Sequence, residues 1–188
     1  MWQQRLGNAL SLGLGFLFMG GGISKLFAEH AFPGIMGPVW LEDELTQYGL
    51  GIFAAFVGYS EAVIGYLLFT LLLRTLGAVM LVPMLVNILM VTISLHWRGT
   101  PYVVSAFLLM NGALLVLDRE RFLPLFGRAV GVTRPVHVRH LLIWGLGLLM
   151  FLVSARASFV SPALGYVLAA VGVSLGLMAY YFHRRDHH

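Results

Sequence analysis

Residues 51–95 read GIFAAFVGYSEAVIGYLLFTLLLRTLGAVMLVPMLVNILMVTISL, and only Glu61 and Arg74 carry formal charge in them. Arg74 divides the stretch into apolar runs at 51–73 and 75–95. A helix rises about 1.5 Å per residue and needs about 20 residues to cross the hydrocarbon. Each run has that length. The period of two that marks a barrel strand is missing. The stretch reads as a transmembrane helical hairpin that turns at Arg74 and holds an acid inside its first arm.

Four further apolar runs lie outside it, at 6–26, 101–117, 140–156 and 163–182. The chain of 188 residues is 59% hydrophobic and 11% charged. A soluble domain carries about 25% charged residues. A chain so poor in charge cannot cover a surface that faces water, so lipid is its natural solvent. The fold expected is an all-α membrane protein with six spans, and the length leaves no room for a second, soluble domain. The segment MWQQRLGNALSLGLGFLFMGGGISKLF reads as a retained first helix rather than a signal peptide, since no small-residue cleavage site follows it. His187 and His188 receive no function.

Cysteine is absent. That excludes a thiol–disulfide relay, a Cys-ligated iron–sulfur or zinc site and covalent c-type haem within these residues. Any redox role must use a bound cofactor or a partner, and no metal site is expected. The net charge of +4 comes from arginines at the ends of apolar runs, which points to membrane flanks and not to nucleic acid.

With six spans, Arg5, Arg74, Arg119, Arg121, Arg128, Arg134, Arg139, Arg184 and Arg185 share one side, against Lys25, Arg98 and Arg156 on the other. Nine against three puts both termini in the cytoplasm. The first outer loop, 27–50, carries Glu29, Glu42, Asp43 and Glu44, and its WLEDELTQY segment has the make-up of a short interfacial helix. That loop is either an ordered cap or a lid on a pocket that opens outward. The basic loop at 121–139 marks a seam between a four-helix core at 1–120 and a two-helix extension at 140–188. Its arginines set topology or meet anionic lipid.

Counting inward from the outer end of each run, Glu61 lies ten residues deep, Asn87 eight and Asn111 ten. Three polar side chains from three helices therefore share one depth. A carboxyl in lipid costs about 2.5–3.5 kcal/mol even on lenient scales, so Glu61 must face the bundle interior. A neutral carboxyl can donate to one amide and accept from another, so Glu61, Asn87 and Asn111 can satisfy one another. This layer is either interhelical glue or a polar pocket for a ligand head or a proton. Tyr59 lies beside it in sequence. Lys25 falls about 12 Å shallower than Glu61 by helix rise, where snorkelling suits it; a direct pair needs the first helix displaced or kinked at Gly20, Gly21 and Gly22. His96 near the outer surface is a candidate proton relay or metal ligand, though interfacial histidines are common, and His30 with His96 a weaker haem pair. Gly172 to Gly176 and Ala54 to Gly58 read as small-residue packing faces.

Several of these segments resemble the DoxX-like family of small bacterial membrane proteins. The matching features are GLGFLFMGGGISKLF, ending in Lys25 and Leu26; GYSEAVIGYLLFTLLLRTLGAVML, with Glu61, Gly65, Arg74 and Thr75; and LLVLDRERF, with Leu117 and Asp118. They cover roughly residues 5–120. The resemblance implies a four-helix core, the bacterial inner membrane and a link to quinone-linked redox complexes. The expectation is an accessory subunit that binds a quinone or similar lipid. Glu61 handles a proton or hydrogen-bonds a polar head, Asn87 and Asn111 orient the ligand, Tyr59 also binds it, Lys25 and His96 guard the outer mouth, and a protein partner carries the electrons. The alternative is a non-enzymatic transporter of a small molecule or lipid, or an assembly factor.

Overall fold

The computed structural model describes residues 2–28, 45–122 and 136–186. Six helices there are long and apolar enough to cross a membrane: α1 (Trp2–Leu26), α2 (Gly51–Phe69), α3 (Arg74–Ser94), α4 (Thr100–Leu117), α5 (Val138–Ala157) and α6 (Pro162–Arg185). One helical turn, Arg119–Phe122, follows α4. No strand occurs among the described residues. This is the make-up of a multi-pass membrane protein. Ile52, Leu109 and Leu142 stand 91%, 76% and 68% exposed on the outside of the bundle, a surface suited to acyl chains.

The helix ends follow local chemistry. Hydropathy ends the second run at 73, but α2 stops at Phe69 because Thr70 caps it and Leu71 turns left-handed at φ 61°. The short link then returns the chain into α3. Gly99 at φ 92° precedes α4, and Pro162 opens α6, where its missing N–H costs nothing. α1 begins at Trp2 rather than 6, and α6 runs on to Arg185, because helices continue through polar residues at the membrane interface.

Each of α1–α4 packs against its sequence neighbours, and α4 also meets α1, which closes a ring. Leu14, Phe18, Val57, Leu81, Leu85, Val104 and Leu114 fill its core. The α1–α2 seam is the tightest. A Cβ on Gly22 would overlap the backbone of Ala62, and one on Gly65 the backbone of Met19. Only glycine lets the two backbones meet that closely. α5 and α6 pack on each other, and α5 rests on α1 and α2. A second apolar cluster, with Ile23, Tyr66, Trp144, Phe151 and Ala169, fills that joint. Gly172 sits against Phe151, as the small-residue reading of its helix expected.

Candidate functional site

The α1–α2 seam decides where the buried acid goes. Gly22 faces Ala62, and Gly58 faces Leu26, so α1 ends level with the middle of α2 and not with its start. Lys25 is thereby carried to Glu61, and its Nζ donates to Glu61 Oε2. Both side chains are 7% exposed. Lys25 therefore does not snorkel. The depth count failed because it assumed that both helices start flush with the membrane, whereas the glycine contacts fix their stagger.

The three-way layer of Glu61, Asn87 and Asn111 does not form. Asn111 is fully buried, but its Nδ2 donates to the Ala78 carbonyl at 2.8 Å, tying α4 to α3. Its Oδ1 is buried without a partner among the described residues. Asn87 belongs to α3's other face. With Met80, Pro83 and Met84 it lines a groove against Phe56, Tyr59, Ser60 and Val63 of α2. Equal depth did not bring the side chains together, because successive helical residues point about 100° apart. Tyr59 and Ser60 accordingly face away from Glu61.

Glu61 faces a cavity of about 100 Å³ inside the α1–α4 ring. Lys25, Glu61 and Thr92 are among its lining residues, and Phe18, Phe53, Val57, Leu85, Ile88 and Phe107 belong to its apolar wall. Leu45, Trp97 and Thr100 line one end. His96 does not line it. It is exposed and left-handed at φ 54°, the turn residue that closes α3. The N–H of His96 donates to Ile93 and that of Trp97 to Thr92, a Schellman ending that swings Trp97 to the cavity. His30, most of WLEDELTQY and the acidic residues of the first loop lie outside the described residues.

A cavity of 150 Å³ lined by aliphatic and aromatic side chains is known to stay dry and to take benzene. The present one is somewhat smaller, about the size of one ring with slight widening. Its ion pair supplies an ammonium donor and a carboxylate acceptor in a site of low dielectric, where both act strongly on a polar ligand atom. No His, Asp or Glu grouping able to hold a metal occurs among the described residues.

No family model, curated protein or solved structure matches this chain, and the likeness to DoxX-like proteins stands on its short motifs alone.

Two buried polar clusters escaped the sequence reading. At the far end of the ring, Arg74 Nε donates to Asp118 Oδ2 at 2.8 Å, its Nη2 to Asp118 Oδ1 and its Nη1 to Asn8, while Thr75 donates to Asp118 at 3.2 Å. An arginine between two spans with an aspartate just after the fourth was the signal available. In the α2–α5–α6 joint, Tyr66 donates to the Gly172 carbonyl at 2.9 Å, and Trp144 donates to Thr70 at 2.8 Å. These polar groups lie in otherwise apolar runs and had no motif to mark them.

Proposed function

We propose that this chain is an accessory subunit of a membrane redox complex and binds the ring of a quinone-like lipid in the α1–α4 cavity. The observation that carries the reading is the Lys25–Glu61 pair on the wall of that cavity. A buried ion pair costs more to desolvate than it commonly returns, so apolar residues would hold the helices as well or better. The pair earns its place by meeting a ligand. Lys25 offers a donor to a carbonyl, and Glu61 an acceptor to a hydroxyl, the two states of a quinone oxygen. Glu61 is the group that handles the proton, and a partner protein carries the electrons.

The remaining finer points belong to the same proposal. Residues 1–120 form the ligand-binding four-helix unit and 140–188 a two-helix addition. The arginine asymmetry puts both termini on the cytoplasmic side of a bacterial inner membrane. The DoxX-like motifs, which include Lys25, Glu61, Arg74 and Asp118, support this assignment.

The test is gentle detergent extraction, identification of the bound lipids and partners, and quinone reduction by the extracted complex. Glu61→Gln and Lys25→Met should each lose ring-lipid binding. The double variant Lys25→Met with Glu61→Leu should recover thermal stability without recovering binding. A preparation with no ring lipid, no redox partner and quinone reduction indifferent to Glu61→Gln overturns the proposal.

A further inference from the structure

The groove between α2 and α3 lies on the other side of α2 from the cavity, and the proposal above does not use it. Its lining repeats at helical spacing on both walls: Phe56, Tyr59, Ser60 and Val63 on α2, and Met80, Pro83, Met84 and Asn87 on α3. Ile64 and Met84 are buried at its base, while Phe56 and Met80 stand exposed at its rim. It is therefore open along the lipid-facing surface.

Three polar side chains line it. Tyr59, Ser60 and Asn87 are each part-exposed, and none makes a hydrogen bond or ion pair with the described residues. Tyr59 lies eight residues into α2, and Asn87 seven residues from the end of α3, both about 11–12 Å from their helix ends. Tyr59 lies ten residues from the other end of α2 and Asn87 thirteen from the other end of α3, so each sits in the inner part of a helix long and apolar enough to cross a membrane, where an unpaired polar group is expensive. Pro83 lines the same wall. It has no N–H, so the Val79 carbonyl loses the donor that a helix would give it.

We infer that this groove binds a neutral lipid whose carbonyl or hydroxyl head resides at acyl-chain depth. Neutrality follows from the lining, which contains no charged residue to meet a charged head. Tyr59 and Ser60 donate to a carbonyl or accept from a hydroxyl, and Asn87 does both. The groove offers about 490 Å³ on its open side, within the range of about 300–1,000 Å³ common to ligand sites. Met80 and Met84 give walls that adapt to a flexible chain.

Photolabelling of the full chain in nanodiscs tests the inference. The probe is dioleoylglycerol with a diazirine on one acyl chain, and the control is phosphatidylglycerol with the same diazirine. The neutral probe should label peptides from 56–64 and 80–87 in preference to the rest of the lipid-facing surface, and the anionic one should not. Asn87→Leu and Ser60→Ala should each weaken that labelling about three- to tenfold, the range that one lost hydrogen bond in a membrane covers. Both variants keep or lower the polarity of the lipid-facing surface, and ligand binding in the cavity should not change, which separates this site from the one above. Labelling spread evenly around the bundle, or labelling indifferent to both variants, overturns the inference. So does efficient disulfide formation between copies carrying Asn87→Cys, readable in a chain without native cysteine, since a second copy would then fill the groove.

Discussion

Arg74 and Lys25 are both buried against a carboxylate, and their surroundings give them different work. Arg74 spends all three guanidinium nitrogens on Asp118 and Asn8, and Asp118 has both oxygens occupied. That pair is closed, a staple across the ends of α1, α3 and α4. Lys25 makes one bond and borders a cavity, so its pair is open to a ligand. Removing one partner of the closed pair leaves a buried charge alone, which costs about 3–5 kcal/mol. Arg74→Met and Asp118→Leu should therefore each depress thermal unfolding in detergent severely. The double variant should recover most of the loss, and a double as unstable as the sum of the singles would show that Arg74 matters for something other than Asp118. At this scale the sequence revealed that Glu61 had to be shielded from lipid, because an intramembrane acid is costly wherever it sits. It did not reveal Glu61's partner, because pairing depends on how far one helix slides past another.

The slide is set at the scale of the element. α1 and α2 touch backbone to backbone through Gly15, Gly22 and Gly65, and this register delivers Lys25 to Glu61. Gly65→Leu should push the helices apart, break the Lys25–Glu61 pair and destabilise the protein by more than the 1–3 kcal/mol usual for overpacking, because the obstacle is backbone and cannot rotate away. Gly20 provides the control. Nothing lies within 4 Å of a Cβ placed there, so Gly20→Ala should gain helix propensity of about 1 kcal/mol at no steric cost. Thermal unfolding of the two variants checks both directions, and equal destabilisation would refute the close-packed seam. The six spans themselves were legible, since apolar length decides them. Their ends were legible to within a few residues, and less so at Thr70, where a left-handed leucine rather than a loss of hydropathy stops α2. The face of each helix was not legible. These helices are apolar nearly all round, so no polar stripe told Asn87's groove from Glu61's cavity.

At the scale of the whole molecule, α5 and α6 join the α1–α4 ring at several levels. Ala28 donates to Ser158 at 2.9 Å, Phe27 packs on Tyr166, and Tyr66 reaches Gly172. At the far end the hairpin is latched to itself: Arg139 donates to Asp186 and to His140, and His140 Nε2 lies 3.3 Å from Asp186. Asp186 ends α6 outside the apolar span. The Arg139 hydrogen bond holds its carboxyl below the usual carboxylate range, desolvation opposes this, and the positive charges of Arg139, His140 and His137 add to the lowering. A carboxyl whose folded value is depressed contributes its full stabilisation above its unfolded value, near 3.9, and loses it as pH falls through the lower folded value. The ion pair should therefore hold from neutral pH down to the ordinary carboxylate range and release only in stronger acid, and because it is solvent-exposed it fastens the ends of α5 and α6 and not the packed hairpin. Nitroxides placed through Val138→Cys and Arg185→Cys report the distance across it. That distance should widen below the usual aspartate range in the otherwise native chain. It should be wide at every pH with Asp186→Asn and with Arg139→Gln, since each removes one side of the ion pair. An opening centred at or above the ordinary aspartate value, or one that survives Asp186→Asn, would mean that some other group fastens this end of the hairpin.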